Sequence, residues 1–144
     1  IGIEENSATV AEATNFHGIS RNFGIINWAL TPDNIGSLPD FDYVFLLSVY
    51  HRLHLAFGQE AAEEMLRQLS KKTKRVLFFE PASQKHKYEN QNLPFEDFDK
   101  ESIIEYNHGL LNEVINQDCT IEYIGASERG VHKHGKRHLF AIIF

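Results

Sequence analysis

The chain has 144 residues, of which 42% are hydrophobic and 24% are charged. These proportions predict one folded domain with a sizeable core and argue against disorder. The formal net charge of -6 disfavours broad attraction to nucleic acid, and no apolar run approaches the roughly 20 residues that cross a bilayer.

The cysteine content and the first residue indicate the setting of the protein. Cys119 is the single cysteine, which excludes an internal disulfide and favours a reducing compartment, so we expect a cytoplasmic protein. The sequence opens with Ile1, inside a strand-like stretch. We therefore expect residues 1–144 to be a single domain that is truncated at its N-terminus.

The beginning of the chain has the pattern of a strand, a helix and a second strand. Ile1-Gly-Ile3 is a short apolar segment that ends in the acidic Glu4. Ser7 then offers an N-cap to a helix reaching about Phe16. Residues 24–30 are predicted to form the second strand, and turn-forming residues follow it.

The next predicted strand, residues 41–47, carries polar side chains at its end. Its residues 43–47 form an unbroken apolar run, which is typical of a strand covered on both faces of a parallel sheet. The groups that follow and can bind or titrate are Ser48, Tyr50, His51 and Arg52. Because ligands of open α/β sheets bind outside the carboxyl ends of the strands, these residues are site candidates.

The remaining segments complete an α/β pattern. Residues 59–69 have helical spacing of apolar positions, and residues 75–79 read as a fourth strand ending in Glu80. A polar stretch over residues 83–98 is predicted to be a lid or an irregular loop, and Asp99 to cap a further helix.

The last two predicted strands are residues 120–124 and 138–144. The connection between them lacks helical periodicity and favours an antiparallel hairpin. We therefore predict a Rossmann-like fold, with a mostly parallel sheet, helices on both faces and a C-terminal antiparallel hairpin.

Two clusters of basic residues stand out in an otherwise acidic chain. The first contains Lys71, Lys72, Lys74 and Arg75, and the second contains Lys133, Lys136 and Arg137 with His132, His134 and His138. Both clusters read as solvated surface, with a local binding patch as the alternative. The imidazoles invite a zinc site, but the cations beside them oppose a dication, so we predict no metal.

The ordered series of these segments resembles the class I S-adenosylmethionine-dependent methyltransferases. Gly2-Ile3-Glu4 is similar to the second strand of that family, residues 41–52 to its fourth strand and the motif after it, and residues 75–80 to its fifth. The closing hairpin resembles the reversed sixth and seventh strands. The glycine-rich loop after the family's first strand has no counterpart here, which implies that this part lies upstream of Ile1.

The resemblance implies a binding site for S-adenosylmethionine. Glu4 would accept hydrogen bonds from both ribose hydroxyls of the cofactor, because a carboxylate has two acceptor oxygens. The residues implied to surround the rest of the cofactor are Glu5 and Asn6 beside the adenosine, Trp28, Ala29 and Leu30 around the adenine, and Ser48 and Val49 along the methionine part.

The segment Val49-Tyr-His-Arg52 is similar to the tRNA wobble-uridine carboxymethyltransferases within that family. It implies that the acceptor is a nucleobase or other polar group, on a small molecule or an RNA, approached over Tyr50, His51 and Arg52. Tyr50 and His51 are our candidate catalytic residues, and Arg52 and Glu80 are candidate substrate contacts. His51 could act as a general base, or it could cap the following helix or line the pocket passively. Glu80 reads as a pocket-lining or structural acid, with a base as the alternative.

Two functions therefore follow from the sequence. The first is methyl transfer from S-adenosylmethionine to an unidentified acceptor. The second is a non-catalytic Rossmann-like domain used for binding or scaffolding. The sequence carries no prediction of oligomeric state.

Overall fold

A computed structural model describes residues 1–17, 24–88, 92–127 and 137–144. Within these ranges the elements in chain order are β1 (Gly2–Glu4), α1 (Ser7–His17), β2 (Ile25–Asn27), β3 (Phe41–Leu47), α2 (Tyr50–Phe57), α3 (Gln59–Lys71), β4 (Thr73–Glu80), α4 (Lys100–Val114), β5 (Thr120–Ala126) and β6 (His138–Ile143). Two short 3-10 helices, Ile35–Ser37 and Lys85–Lys87, lie in the connecting loops. Six strands and four helices interspersed along the described residues confirm the predicted α/β class.

The described strands form two sheets. β1 and β2 are parallel, with Gly2 opposite Ile25 and Glu4 opposite Asn27. The second sheet has the order β3-β4-β6-β5, in which β3 and β4 are parallel while β6 is antiparallel to both of its neighbours. The predicted C-terminal antiparallel pair is therefore present, and β6 is inserted between β4 and β5.

The core lies between the four-stranded sheet and the layer formed by α3 and α4. Leu77 and Phe79 of β4 are fully buried, as are Met65 of α3 and Leu111 of α4. Each of these side chains contributes roughly 1.5–3 kcal/mol by leaving water. Helical spacing on α3 and alternation on β4 direct these residues to one side, so the core follows from the periodicity of the sequence.

The other face of β3 is apolar and exposed in the described residues. Tyr43, Phe45 and Leu47 are 47%, 64% and 44% exposed. Phe45 stacks on Phe78 of β4 at 4.8 Å between ring centroids, which covers only part of the ring. The prediction that both faces of β3 are covered is therefore wrong for the described residues. An apolar run indicates that a strand favours burial, but it does not identify which element of the protein would cover the strand.

The ends of the elements show how polar side chains fix the chain. Asn6 caps α1, since its Oδ1 accepts from the backbone N–H groups of Ala8 at 2.9 Å and Thr9 at 3.2 Å. This corrects the prediction that Ser7 is the cap, because the asparagine one residue earlier reaches the same free N–H groups. Asp99 caps α4 as predicted, accepting from the backbone N–H of Ser102 at 2.8 Å.

None of the helices within the described ranges is long and apolar enough to cross a membrane.

Candidate active site

The carboxyl ends of β3 and β4 meet at one edge of the sheet. Leu47 lies opposite Glu80, and the backbone N–H of Ser48 donates to the Glu80 carbonyl oxygen at 2.9 Å. The Ser48 hydroxyl also donates to Glu80 Oε1 at 2.5 Å. Ser48 has a φ of 57°, a left-handed conformation that non-glycine residues adopt at a cost. The two hydrogen bonds to Glu80 hold it there.

A pocket of about 230 Å³ opens beside this junction. It is lined by Ser48, His51, Arg52, Pro81, Ala82, Ser83, Gln84, Lys87 and Arg137. Three of these side chains are cationic, and the described lining contains no carboxylate. The pocket is therefore electropositive in a chain whose formal net charge is -6.

His51 is held in its neutral form within this pocket. Its pKa is lowered from 6.5 to about 4, first by burial and then by the charges of Arg52, Lys87 and Arg137 in that order of effect. At neutral pH the ring therefore carries a nitrogen lone pair that can accept a proton. Its Nδ1 atom is buried and has no hydrogen-bond partner among the described residues.

Tyr50 lies in the core and does not line the pocket. Its side chain is 1% exposed, and its ring packs edge-on against Phe79 at 5.4 Å and Tyr88 at 6.4 Å. This position differs from the expectation that Tyr50 faces an acceptor. The reason is that α2 begins at Tyr50, so Tyr50 and the buried His54 share the inward face at a spacing of four. Burial raises the pKa of Tyr50 well above its usual value.

Glu80 supports the pocket from behind. Besides accepting from Ser48, its Oε1 accepts from Arg137 Nη1 at 3.3 Å, and its side chain is only 14% exposed. Glu80 therefore orients two lining residues, Ser48 and Arg137, while it is itself outside the described lining. This geometry suits a structural acid better than a base.

A second group of candidates surrounds the end of β1. Glu4 Oε1 accepts from the backbone N–H of Asn6 at 2.8 Å, which orients the carboxylate and leaves acceptor sites on both oxygens. Asn27 donates from Nδ2 to the carbonyl oxygens of Glu4 at 3.0 Å and Glu5 at 2.9 Å. Trp28 donates its backbone N–H to the Glu4 carbonyl at 3.0 Å, so it lies next to the acid.

The other candidates around the predicted cofactor site differ in exposure. Trp28 and Leu30 are partly buried and pack against the core, whereas Ala29 is exposed. Val49, at the N-terminus of α2, is 38% exposed. The structure thus gathers the predicted residues into one group at the ends of β1 and β2 and another at the ends of β3 and β4. Strand pairing does not join these two groups in the described residues.

The sequence did not predict Asn27, Lys87 or Arg137 as site residues, although each contributes to one of these groups. Arg137 and Lys87 line the pocket, and Asn27 braces the turn after β1. The position of Arg137 follows from topology: β6 is antiparallel to β4, so the residue before β6 lies beside Glu80 at the end of β4. The predicted hairpin could therefore have indicated that Arg137 lies near the end of β4. Lys87 lies in the polar stretch for which the sequence has no periodicity.

The second basic cluster is only partly described. His132, Lys133, His134 and Lys136 lie outside the described residues. His138 is buried, and its Nδ1 is 3.1 Å from the Tyr123 hydroxyl. Within the described ranges, no group of three or more histidine, cysteine, aspartate or glutamate side chains could hold a metal ion.

Comparison with solved structures identifies the fold. Over 98% of this chain, WbdD, crystallised with the kinase inhibitor LY294002, superposes with a TM-score of 0.63 at 16% identity. Magnesium protoporphyrin IX methyltransferase (ChlM) from Synechocystis PCC 6803, with bound SAM, matches 99% of the chain with a TM-score of 0.60 at 13% identity. Precorrin-6y C5,15-methyltransferase from Geobacter metallireducens GS-15 matches 99% with a TM-score of 0.52 at 14% identity.

The chain therefore has a class I methyltransferase-like fold, as its sequence resemblance predicted. It spans 30% of the WbdD chain, 57% of the ChlM chain and 66% of the precorrin-6y methyltransferase chain, which is less than two thirds of each. No protein-family model and no curated protein sequence matches it.

Proposed function

We propose that this chain takes part in methyl transfer from S-adenosylmethionine to an acceptor. The observation that carries the proposal is the arrangement of Glu4 at the carboxyl end of β1, where the backbone N–H of Asn6 orients its carboxylate at 2.8 Å. The fold supports the proposal, because two similar structures are named as methyltransferases and one of them contains bound SAM.

Glu4 would accept hydrogen bonds from the ribose hydroxyls of the cofactor. Glu4 fits that role because both of its carboxylate oxygens can still accept hydrogen bonds after Oε1 has accepted one from the backbone N–H of Asn6. The partly buried faces of Trp28 and Leu30 suit an adenine ring. Glu5 and Asn6 would flank the adenosine, and Ser48 and Val49 would line the methionine part. When bound, the cofactor supplies a methyl group activated on a sulfonium.

His51 would take the proton that an N–H or O–H acceptor loses during the transfer. The lowered pKa keeps the imidazole neutral at pH 7, so its nitrogen lone pair is available, but the same shift makes the ring a weaker base. Alignment of the acceptor atom is the larger contribution to such a reaction, and the pocket walls would supply it. Tyr50 has no part in this proposal beyond packing in the core against Phe79 and Tyr88.

The exposed face of β3 supports a further part of the proposal. Tyr43, Phe45 and Leu47 present a large apolar surface on an edge strand, and such surfaces are normally covered. We infer that residues 1–144 are one part of a longer domain, and that an upstream segment covers this face and completes the cofactor site with a strand and its glycine-rich turn. We also propose a cytoplasmic location.

Calorimetry with S-adenosylhomocysteine on the full protein containing residues 1–144 tests the proposal. We expect saturable heat from the parent protein. The Glu4→Gln variant keeps the shape of the side chain but removes its charge. Because a hydrogen bond to a charged group contributes about 1.5–3 kcal/mol, the affinity should fall roughly 10- to 100-fold.

Glu12→Gln is the matched control, since Glu12 is an exposed acid on α1 and the variant has the same net charge. It should bind as the parent protein does. If the parent protein gave neither heat nor a thermal shift, the domain would be a binding or scaffolding module instead. If Glu4→Gln bound normally, the ribose assignment would be lost.

A further inference from the structure

The pocket beside Ser48 concentrates positive charge in a small volume. Arg52, Lys87 and Arg137 all line a space of about 230 Å³. All three lower the pKa of His51, so all three act electrostatically at the same point. Glu80 offsets part of this charge through its contact with Arg137 at 3.3 Å, but it binds from behind the lining. Two positive charges therefore remain uncompensated by the described lining residues and Glu80.

The N-terminus of α2 adds to this field. Val49 is the N-cap residue, and no side chain caps the helix in the described residues. The first turn of a helix carries free N–H groups and a partial positive charge, which favour an anion. His51 and Arg52 belong to this turn and also line the pocket. The helix end and the three cations thus favour the same kind of ligand.

We propose that this pocket binds a carboxylate or phosphate group of a small-molecule methyl acceptor. The inference rests on the proposed function and names the chemical class of its substrate. Arginine matches the planar or tetrahedral oxygens of such groups, and lysine adds a point charge. A pocket of about 230 Å³ accommodates the charged group and a few further atoms. Bound there, the anion would hold the rest of the acceptor beside Ser48 and His51.

The overall charge makes nucleic acid a poorer candidate for this site. The formal net charge is -6, and a polyanion would meet repulsion away from the pocket. A small acceptor places its charge only where the three cations lie. A single-stranded oligonucleotide should therefore compete weakly with a small anion.

The test is a titration of the full protein with inorganic phosphate and, separately, with malonate, at constant ionic strength set by sodium chloride. Thermal shift and calorimetry measure the response. We expect saturable stabilisation by at least one of these anions, and the stronger of the two identifies phosphate or carboxylate. Arg52→Gln and Lys87→Gln should each weaken that binding at least tenfold, as expected for the loss of a charged hydrogen bond.

Lys71→Gln is the matched control, because Lys71 is an exposed cation at the end of α3 and outside the pocket. It should bind the anion as the parent protein does. Two variants are used so that a fold defect in one cannot be mistaken for loss of the site. Equal responses to phosphate, malonate and chloride would overturn the inference, as would unchanged binding in both pocket variants.

Calorimetry with S-adenosylhomocysteine on the same preparations separates this inference from the proposed function. Binding of the cofactor product without binding of phosphate or malonate would overturn the anion site alone. Binding of the anion without the cofactor product would support the anion site and overturn the proposed methyl transfer.

Discussion

His51 makes the stability of the protein depend on pH in a direction that can be worked out. Its pKa is about 4 in the folded protein and 6.5 as the ordinary value, chiefly because of burial and then because of Arg52, Lys87 and Arg137. Between these values the unfolded chain binds more protons than the folded one. The free energy of unfolding therefore falls as the pH is lowered from about 7 to about 4.

The size of this loss follows from the same two values. At about 1.4 kcal/mol for each unit of pKa, a fall from 6.5 to about 4 corresponds to roughly 3 kcal/mol. Because the His51 ring is partly exposed, solvent screening reduces this to about 1–2 kcal/mol. His51→Gln removes the titrating group. The stability difference between the parent protein and this variant should therefore shrink by that amount at acid pH.

Urea unfolding of both proteins between pH 7.5 and pH 4 measures the difference, and other titrating groups cancel in it. Titration of the His51 ring by NMR checks its cause. Arg52→Gln should raise the ring pKa by removing the strongest charge effect, whereas Lys71→Gln should leave it in place. A ring pKa at or above 6.5, with a stability difference independent of pH, would refute the reasoning.

Three further substitutions test the core, the turn after β1 and the strained residue at the end of β3. Leu77→Ala should lower the free energy of unfolding by about 2–5 kcal/mol. Leu55→Ala, at a 54% exposed position, should lower it far less. Equal losses of stability in urea unfolding would contradict the described core. Asn27→Ala should weaken the binding of S-adenosylhomocysteine, measured by calorimetry, roughly three- to tenfold, because the turn loses about 0.5–1.5 kcal/mol per hydrogen bond. Asn112→Ala, on α4, should leave this binding unchanged. The Ser48→Ala variant should be less stable than the Ser48→Gly variant by about 1 kcal/mol. Both variants lose the hydroxyl, but only glycine adopts a φ of 57° without strain. The reverse order of stability would exclude backbone strain at this position.

Periodicity in the sequence predicted the elements whose burial is regular. Residues 59–69 and 75–79 fall within α3 and β4, because their apolar positions repeat at the spacing of a helix and of a buried strand. The antiparallel pair of β5 and β6 followed from the length and polarity of the connection between them. These features depend on local pattern alone, so a single sequence contains them.

The side-chain directions at the pocket depend on where α2 begins. The prediction placed Ser48, Tyr50, His51 and Arg52 together at the end of β3. A helix starting at Tyr50 instead turns that side chain into the core and leaves His51 and Arg52 at the pocket. One residue of shift in this boundary would reassign all three. Arg137 reaches the pocket through a contact with Glu80, which lies 57 positions earlier in the sequence. A local sequence pattern cannot predict such a contact.

The insertion of β6 between β4 and β5 makes the completed pocket depend on a contact between distant parts of the sequence. Arg137 directly precedes β6, which follows every other described element in sequence. Its pairing with β4 closes a long loop, a slow step in chain organisation. A chain that has formed β3, β4 and α2 but not docked β6 lacks one of the three cations. An anion bound by all three would favour the completed sheet over this intermediate, so its affinity would report how fully the domain has folded.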